Sequence, residues 1–374
     1  MPKSPAHPII SHLKPLRLSK GLTQTQLAER IGVKRQAIYD MESGRYLPNT
    51  AAALRLATIL DCRVEDIFTL DTPPQAPSMT LIGQGSPDAD TRLALARVRG
   101  KLVGFPLIGK NDFRENMRPA DGLLLKEGGR LRLLQPESAL EHKALLMGCD
   151  PAFEILAAHV ARYQGPSSLL CRFASSQRAL ESLANGHAHI AGTHLHSAGK
   201  TEANVALARR ILGDFRGMVI GFAKFEEGLM VAPGNPLKIR GVSDLARPEV
   251  RLVNREPGAA LRTLLDDCLA RERIPPKAVC GFGDLVASHS EGAQRVLYGT
   301  ADAAMGLRVV ASVYGLDFID ISTVRCDLVI LDDLLEHPAV RVLLDILQSR
   351  RFREELDHLP GYDTADTGKV IVRQ

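Results

Sequence analysis

Residues 21–33 read GLTQTQLAERIGV, a stretch that predicts one short helix followed by a sharp turn. Leu27 and Ile31 stand four positions apart, so they lie on one face of a helix and become buried together. Thr23 is suited to cap this helix, because its hydroxyl accepts a hydrogen bond from a backbone N–H. Gly32 suits the positive φ that the turn requires. The helix is therefore predicted to end at a defined position.

The helical pattern continues beyond this turn. Ile38 and Met41 predict a second helix on the far side of it. Apolar residues at helical spacing then predict a helix near 54–60 and a shorter one near 64–68. Five helices within residues 11–70, two of them joined by a turn of about three residues, have helix-turn-helix geometry.

Positive charge is concentrated in the same part of the chain. Residues 1–70 contain ten Lys and Arg against six Asp and Glu, whereas residues 71–374 contain 37 of each. The formal net charge of +4 therefore belongs to the first fifth of the chain, which predicts a nucleic-acid-facing module on a neutral body. The length of 374 residues favours two or more domains, and 45% hydrophobic with 24% charged residues exclude wholesale disorder.

Residues 21–33, together with Ile38 and the sequence ESGR at 42–45, resemble the phage-repressor (Xre) type of helix-turn-helix. The resemblance implies a DNA-binding domain over residues 1–70, with a recognition helix at 34–43 whose first residues reach base edges. It also implies that the partner is a double-stranded DNA operator, bound by a homodimer or a higher homo-oligomer.

Seven side chains are the predicted DNA contacts. Arg35 and Gln36 would read bases, since Arg fits O6 and N7 of guanine and Gln fits N6 and N7 of adenine. Gln24 and Arg45 would contact phosphates. The alternative for each side chain is an ordinary solvated polar face. The full set is Gln24, Lys34, Arg35, Gln36, Tyr39, Asp40 and Arg45.

The remaining composition gives no sign of secretion or of a membrane. Residues 1–10 contain no apolar signal region, and no stretch approaches the roughly 18 apolar residues of a membrane span. The six cysteines show no CxxC spacing, so they are predicted to be reduced, mostly buried thiols. We therefore expect a cytoplasmic protein without a membrane partner.

Residues 71–78 are rich in proline and lack periodicity, which predicts an extended linker. Residues 79–140 are predicted to form a small β-rich connector with two hairpins. The strand pairs are 93–98 with 101–107, around Arg99-Gly100, and 123–125 with 131–134, around Gly128-Gly129. No chemistry is visible in the connector, so a scaffold or a dimer contact is its expected role.

From residue 143 onward, short apolar runs alternate with helical stretches, which is typical of α/β construction. Three strand-to-helix junctions stand out, at 148–151, 174–177 and 254–260. Each would place unpaired N–H groups and the positive end of a helix at the C-terminal edge of a parallel sheet. Such sheets bind ligands at that edge, and converging helix N-termini favour an anion.

Five stretches carry a second resemblance. They are GCDP at 148–151, AGTHL at 191–195, GLMVAPGNP at 228–236, VNR at 253–255 with Gly258 and Arg262, and GYDT at 361–364 with TG at 367–368. With them, residues 143–370 resemble the cytoplasmic relatives of the periplasmic molybdate-binding proteins, which have a two-lobed, type II periplasmic-binding-protein-like fold and are often joined to a helix-turn-helix.

This resemblance implies an α/β domain over 141–374. One lobe would comprise residues 141–222 and 325–374, and the second residues 223–324, with a ligand cleft between them. The predicted fold class is thus multidomain, with an all-α helix-turn-helix head, a small β-rich connector and an α/β two-lobed periplasmic-binding-protein-like domain.

The resemblance also implies molybdate or tungstate as the ligand. Where the family often has small hydroxyl residues, this chain has Cys149 and Ala259-Ala260, so an organic acid or a cofactor-like ligand remains the alternative. Asp150 adds a negative charge, which disfavours a dianion unless its side chain points away. The candidate ligand residues are Cys149, Asp150, Ser175, Ser176, Thr193, His194, Asn254, Arg255, Gly258 and Arg262.

Ordinary structural roles compete with several of these assignments. Ser175 and Ser176 could simply cap a helix, and Arg262 could pair with Asp266. Four histidines lie within residues 187–196, but neither Glu-x-x-His spacing nor a clear third ligand accompanies them. We therefore predict no metal site and no cofactor.

Signatures of catalysis are missing from the sequence. It contains no Gly-x-Ser-x-Gly, no phosphate-binding glycine loop and no paired-carboxylate signature, so an enzyme is not expected. The sequence predicts a one-component transcription regulator whose head reads an operator as a dimer and whose two-lobed domain senses a small cytoplasmic anion. The alternative from another class is an enzyme that regulates its own expression.

Overall fold

The computed structural model describes residues 9–70, 79–83, 90–109, 113–126, 130–196 and 202–374. Two units separate within the chain, residues 1–77 and 78–374. The predicted linker at 71–78 and the predicted turn at Gly128-Gly129 lie outside the described residues. Among the helices that are described, none is both long and apolar enough to cross a membrane.

The described part of the first unit is mainly helical, as its sequence predicts. Its helices are α1 (Leu13–Ser19), α2 (Gln24–Ile31), α3 (Arg35–Glu42), α4 (Thr50–Leu60) and α5 (Val64–Ile67). A short antiparallel pair, β1 (Ile9–Ser11) and β2 (Phe68–Leu70), joins the two ends of this segment. The sequence places Phe68 in the fifth helix, but pairing with β1 holds it extended, with φ −129° and ψ 120°.

Local capping sets the ends of α2. Thr23 Oγ1 accepts a hydrogen bond from the N–H of Gln26 at 3.2 Å, and Gln26 Oε1 accepts one from the N–H of Thr23 at 2.8 Å. This reciprocal arrangement is a capping box. Gly32 follows the helix with φ 75°, in the left-handed region that favours glycine. The predicted Thr23 cap and Gly32 turn are both confirmed.

A buried ion pair connects three helices of the first unit. Arg17 in α1 is 6% exposed, and its Nε donates to Glu42 Oε1 at 2.6 Å. Arg17 Nη1 donates to the Leu22 carbonyl at 2.5 Å, and Gln24 Nε2 donates to Glu42 Oε2 at 2.8 Å. The pair therefore ties α1 to the start of α2 and to the end of α3.

The α/β domain of the second unit is framed by one large sheet. Its strands are β8 (Lys143–Gly148), β9 (Ser168–Phe173), β10 (Ile190–His194), β11 (Gly217–Val231), β12 (Leu252–Arg255), β13 (Leu285–Val286), β14 (Ala303–Leu307), β15 (Asp317–Leu331), β16 (Tyr362–Asp363) and β17 (Val370–Arg373). In the described part of the chain their order is β13-β12-β14-β11-β15-β10-β8-β9, with β16 and β17 also paired to β11. The strands β8, β9 and β10 are parallel, and so are β12, β13 and β14.

Helices cover this sheet and enclose two hydrophobic cores. They are α7 (Phe153–Arg162), α8 (Ser176–Ala184), α9 (Ala203–Leu212), α10 (Ala260–Arg271), α11 (His289–Leu297), α12 (Arg308–Val313), α13 (Pro338–Gln348) and α14 (Arg350–Asp357). The larger core contains Leu145, Phe222 and Leu328, and the smaller one contains Leu229, Leu252 and Leu265.

Two strands of 15 residues, β11 and β15, pair antiparallel and run from one core to the other. Their register shifts between Gly221 and Ala223 and again between Glu227 and Gly228. Glycine is required at the second shift, because a Cβ on Gly228 would lie 2.0 Å from the carbonyl oxygen of Ile319. Such irregularities change the direction in which neighbouring side chains point.

The connector forms a five-stranded sheet in the same unit. Its strands are β3 (Met79–Leu81), β4 (Thr91–Val98), β5 (Lys101–Pro106), β6 (Gly122–Leu124) and β7 (Leu131–Leu133), in the order β3-β5-β4-β6-β7, and a short helix α6 (Phe113–Met117) precedes β6. Both predicted strand pairs are present. Leu93 and Leu95 pack inside the connector, whereas Ala94 and Ala96 join the larger core of the α/β domain. The connector is therefore packed directly onto that domain.

We expect Arg17→Ala to destabilise the first unit by about 3 kcal/mol, because it leaves the Glu42 carboxylate buried without its partner. Hydrogen exchange of the amides in residues 13–67 of the full-length protein, followed by mass spectrometry, would then become faster. Arg30→Ala, which changes an exposed arginine of α2, is the matched control. Equal protection in Arg17→Ala and in the wild type would show that the pair contributes no stability.

Candidate ligand pocket and nucleic-acid interface

A pocket lies where strands β8, β9 and β12 end and where helices α8, α10 and α11 begin. It opens to solvent, and the space free of protein atoms, taken in the pocket and the adjoining solvent together, is about 290 Å³. Five predicted residues meet in its lining, namely Cys149, Ser175, Ser176, His194 and Arg255. The residues that complete the lining are Phe173, Ala259, Ala260, Leu261 and His289.

Three helix N-termini converge on this pocket. Ser175 caps α8 by accepting a hydrogen bond from the N–H of Arg178 at 3.4 Å. Helix capping is the structural role that the sequence offers as the alternative to ligand contact for this residue. Ser288 caps α11 in the same way. Helix α10 begins after Ala259 without a side-chain cap, which leaves N–H groups of its first turn open to a ligand. Converging helix N-termini of this kind favour a bound anion.

Arg255 brings a buried positive charge to the pocket. It is 3% exposed, and its Nε and Nη2 each donate to the Glu256 carboxylate at 3.0 Å. Nη2 also donates to the carbonyl of Ala287 at 3.2 Å, and the guanidinium lies 5.5 Å from the centre of the Phe173 ring. Glu256 offsets part of the charge, so the net charge around the pocket is small.

A thiol, an imidazole and a carboxyl group form a row beside the pocket. Cys149 Sγ lies 3.3 Å from His194 Nδ1, and His194 Nε2 lies 3.4 Å from Glu227 Oε1. Glu227 is fully buried, and neither of its carboxyl oxygens has a well-aligned hydrogen-bond partner among the described residues. Only the first two members of the row were sequence candidates.

Burial keeps this row uncharged at neutral pH. It raises the pKa of Glu227 to about 8. It also lowers the pKa of His194 to about 4, with a smaller contribution from Arg255. Burial raises the pKa of the Cys149 thiol as well. The three groups are therefore a carboxylic acid, a neutral imidazole and a thiol near pH 7.

His289 is a lining residue that the sequence did not identify. It occupies the first position of α11 and is 7% exposed, and neither ring nitrogen has a hydrogen-bond partner within the described residues. Burial, then Arg255 and then His194, lower its pKa well below the ordinary value. Its neutral ring therefore offers both a donor and an acceptor to a ligand.

Three predicted residues lie outside the pocket lining. Asp150 Oδ1 accepts hydrogen bonds from the N–H of Ala152 at 2.9 Å and from the Tyr362 hydroxyl at 2.6 Å. Thr193 Oγ1 donates to the Asp327 carbonyl at 3.4 Å. Asn254 bridges the neighbouring backbone, since its Nδ2 donates to the Phe282 carbonyl and its Oδ1 accepts from the N–H of Arg255. These side chains support the strands that carry the pocket.

The last two predicted residues also fall outside the lining. Gly258 has φ 90° in the turn that enters α10. Arg262 pairs with Asp266 at 3.0 Å, which is the structural role that the sequence offers as the alternative to ligand contact. Its guanidinium lies 4.1 Å from the centre of the Phe282 ring. Its Nη1 donates to the Arg255 carbonyl at 3.2 Å, so it supports the backbone of a residue that lines the pocket.

Ser176 links two elements of the site. Its Oγ donates to the carbonyl of His194 at 3.0 Å and accepts from the N–H of His194 at 3.1 Å. The start of α8 is therefore held against the end of β10, with the His194 ring between the pocket and Glu227.

The predicted recognition helix is α3, and the side chains at its start are exposed. They are Lys34, which is the N-cap, with Arg35 and Gln36, while Tyr39 lies one turn further on. Gln36 Nε2 donates to Asp40 Oδ1 at 3.2 Å, and the Arg45 guanidinium lies 5.5 Å from the centre of the Tyr39 ring. Gln24 differs from the others, because its amide binds Glu42.

Comparison with known proteins finds two families in this chain. The model of the PBP superfamily domain matches residues 157–348, and a helix-turn-helix family matches residues 13–67. The uncharacterised protein YvgK of Bacillus subtilis (strain 168) is 31% identical over 260 residues, which cover 70% of this chain and 83% of YvgK. An uncharacterised HTH-type transcriptional regulator of Methanothermobacter thermautotrophicus is 52% identical over 56 residues, which cover 15% of this chain and 81% of that protein.

Solved structures of binding proteins also align with part of the chain. The sulfate-binding protein SubI of Mycobacterium tuberculosis H37Rv is 15% identical, with a TM-score of 0.44, and the alignment covers 60% of this chain and 87% of SubI. A putative phosphate ABC transporter substrate-binding protein of Clostridium perfringens is 11% identical, with a TM-score of 0.43, over 57% of this chain and 96% of that protein.

Both domain resemblances predicted from the sequence are confirmed by the family matches. The predicted fold class is confirmed as well, since a helical helix-turn-helix unit precedes a β-rich sheet and an α/β domain.

Proposed function

This chain belongs to the PBP superfamily and joins that domain to a helix-turn-helix, and from this premise we propose that it is a one-component transcription regulator controlled by a small anion. The observation that carries the proposal is the convergence of three helix N-termini and Arg255 on one pocket, in a chain that also exposes Lys34 and Arg35 on α3. Binding in the pocket would change the affinity of the helix-turn-helix for an operator.

The operator would be read by α3 as part of a dimer. Arg35 and Gln36 stand exposed at the N-terminal end of the helix, which enters the major groove in this docking mode. A net charge of +4 over residues 1–70 is a modest electrostatic contribution for one domain. Two copies on half-sites about one helical turn apart would double the phosphate contacts.

Replacement of Arg35 by alanine is expected to weaken binding to an operator selected from random duplexes by about 1–3 kcal/mol and to relax the preference at one base pair. Arg45→Ala is the matched comparison. Loss of a phosphate contact should weaken binding to all DNA sequences alike, and it should reduce by about 1 the slope of the logarithm of the binding constant against the logarithm of the salt concentration. Electrophoretic mobility shifts at several salt concentrations would measure both. An unchanged base preference in Arg35→Ala would remove this residue from the readout.

The ligand is proposed to be a small cytoplasmic anion. Molybdate or tungstate is the first candidate by family resemblance, and the helix ends with Arg255 suit any oxyanion. Phe173 and Leu261 give part of the lining an apolar character, and Cys149 offers a thiol in place of a hydroxyl. These features support an organic carboxylate or a cofactor-like acid as the second candidate.

A panel of molybdate, tungstate, sulfate, phosphate and carboxylates is expected to contain at least one anion that raises the melting temperature. A ligand present at about 100 times its Kd stabilises the folded state by about 2.7 kcal/mol. Arg255→Ala should reduce the affinity for that anion by about tenfold or more, since a charge-assisted hydrogen bond contributes about 1.5–3 kcal/mol. Arg251→Ala, which changes an arginine paired with Asp302 outside the pocket lining, is the control. An absence of stabilisation by every anion would refute the sensing function.

Coupling to DNA is proposed to pass through the connector. Glu115 in α6 accepts a hydrogen bond from the N–H of Phe173 at 2.8 Å, and its other carboxyl oxygen lies 3.0 Å from Arg172 Nη1. Phe173 lines the pocket, so the connector holds the pocket rim directly. A change at the rim on ligand binding would therefore displace α6.

Glu115→Gln is expected to leave anion affinity within about threefold of the wild type but to reduce the effect of the anion on DNA affinity, for which a coupling of about 1–3 kcal/mol is typical. DNA binding measured with and without a saturating anion gives this coupling. Glu141→Gln, which changes one of the two acidic partners of the connector residue Arg97, is the control. A coupling equal to that of the wild type would exclude this route.

The row of Cys149, His194 and Glu227 is the observation that favours the alternative of an enzyme, since a thiol beside a base is one arrangement of a nucleophile. The raised pKa of the thiol argues against a reactive thiolate. Recovery of the bound anion chemically unchanged after prolonged incubation would support the sensor over the enzyme.

A further inference from the structure

We propose that His289 binds the ligand directly and selects an anion that carries a hydroxyl group, such as a small hydroxy acid, an inference that rests on the anion-sensing function proposed above. His289 is thus a specificity-determining residue of the pocket. The class of ligand follows from the two ring nitrogens of this side chain and from the groups that surround it.

His289 lacks the partners that a buried polar side chain normally has. Its ring lines the pocket, and the residue is 7% exposed. Among the described residues, it is the one histidine with both ring nitrogens buried and without a hydrogen-bond partner. Polar groups buried in proteins are nearly always hydrogen-bonded, so an unpaired one in a pocket wall indicates a ligand that completes it.

Two other histidines illustrate the difference between a structural imidazole and this one. The rings of His189 and His337 lie 4.4 Å apart, outside the pocket lining. His189 Nδ1 accepts a hydrogen bond from the N–H of Leu145 at 2.9 Å, and His337 Nδ1 accepts one from the N–H of Ala339 at 3.2 Å. Both rings therefore support the local backbone. His289 makes no such bond, so support of the fold does not explain its imidazole.

The groups beside the His289 ring do not pair with it. Its centre lies 6.3 Å from that of the Phe173 ring, edge to face, and a phenyl ring has no polar atom to offer. The Arg255 guanidinium lies 5.5 Å from the centre of the same ring. Its Nε and Nη2 are bonded to Glu256 and to the Ala287 carbonyl, which leaves Nη1 without a hydrogen-bond partner among the described residues. Arg255 and His289 thus lie beside one apolar ring, and a single small molecule can contact both.

The pocket offers donors to an anion and an acceptor to a hydroxyl. The open N–H groups at the start of α10 and Nη1 of Arg255 suit a negative charge. Burial, then Arg255 and then His194, lower the pKa of His289, so its ring is neutral and has one donor and one acceptor nitrogen. Sulfate and molybdate only accept hydrogen bonds near neutral pH, so they leave the acceptor nitrogen unpaired. A hydroxyl donates to it.

Apolar surface in the lining favours an organic ligand. The apolar side chains there are those of Phe173, Ala259, Ala260 and Leu261. Contact with a carbon chain removes this surface from water, whereas a hydrated inorganic ion does not. We therefore expect a carboxylate at α10 and Arg255, with the hydroxyl at His289. Inorganic phosphate retains a proton near neutral pH and shares the hydroxyl chemistry, so it forms a separate arm of the test.

Isothermal titration of the full-length protein near neutral pH compares ligands that differ by one hydroxyl. The pairs are glycolate with acetate, lactate with propionate, and phosphate with sulfate, and molybdate is measured alongside them. In at least one pair the wild type should bind the hydroxyl-bearing member about tenfold or more tightly, because the other member leaves a buried ring nitrogen unpaired. A preference in the carboxylate pairs identifies a hydroxy acid, and one confined to phosphate assigns the same role of His289 to hydrogen phosphate.

His289→Phe keeps an aromatic ring and removes both nitrogens. It should lower the affinity for the preferred hydroxyl-bearing ligand by about tenfold and change that for its pair member by less than about threefold, so that the preference is lost. His289→Gln keeps a donor and an acceptor and should retain a preference. His358→Phe, which changes an exposed histidine outside the pocket lining, is the matched control and should behave as the wild type.

Nitrogen-15 NMR of the histidine rings tests the contact itself. Both ring-nitrogen resonances of His289, identified by their absence from His289→Phe or His289→Gln, should shift when the preferred ligand is added. If His289→Phe does not fold, the ligand pairs in the wild type and in His289→Gln still decide the inference.

Three results would overturn the inference and leave the sensing function intact. They are equal affinity within every pair, tighter binding of molybdate than of each hydroxyl-bearing probe, and ring resonances of His289 that do not shift with a bound ligand. A preference that survives in His289→Phe would equally remove this residue from the selection. If none of the seven anions binds, the proposed function fails, and this inference fails with it.

Discussion

The pairing of β11 with β15 is the constraint on which the second unit depends. Each strand has 15 residues, and together they take part in both hydrophobic cores. Paired backbone groups of buried strands are costly to separate, so the register of this pair fixes which side chains of β11 face each core. The register shift beside Gly228 redirects the side chains around it, and Glu227 lies at that shift. The same irregularity therefore helps to set the side of the sheet from which Glu227 faces His194.

Electrostatics divide the chain into two parts with different tasks. The excess positive charge belongs to residues 1–70, where an exposed helix start carries Lys34 and Arg35. Around the pocket, by contrast, the charge of Arg255 is partly offset by Glu256, and burial keeps Glu227 and His194 neutral near pH 7. Under the proposed function, helix ends and neutral donors would supply most of the binding energy for an anion there. Such a site would not compete for the phosphate backbone of DNA.

Local signals explain how much of the structure the sequence could predict. The ends of α2 follow from Thr23 and Gly32, whose preferences act within a few residues, and the strand pairs of the connector follow from runs of apolar residues. The pairing of β1 with β2 was missed, because three-residue strands at the two ends of the helical segment have no detectable periodicity. The sequence accordingly predicts Phe68 to be helical, whereas it lies in β2.

The pocket could be predicted only in part, because its residues come from distant parts of the chain. The sequence predicts Cys149, Ser175 and Arg255 as site residues, because each lies at a junction where a strand ends and a helix begins, and such a junction is recognisable within a few residues. Asp150 has the same local signal, but it bonds to Tyr362, which lies 212 positions later. Glu227 lies on β11 and its neighbour His194 on β10, so the sequence does not show that the two side chains meet. Strand alternation places Glu227 on the same face as Ala223 and Phe225, so a carboxylate at an otherwise apolar position was the available signal for it.

The position of the connector follows from the same physical reasoning. Its sequence contains no catalytic or binding pattern, which is why a scaffold was the expected role. However, β4 is buried on both faces, with Ala94 and Ala96 in the core that also contains the strands of the pocket. A tightly packed core transmits small displacements because it cannot absorb them through empty space. Glu115 adds a direct bond to the pocket rim at Phe173. A scaffold that is packed and bonded in this way is mechanically part of the domain that carries the pocket.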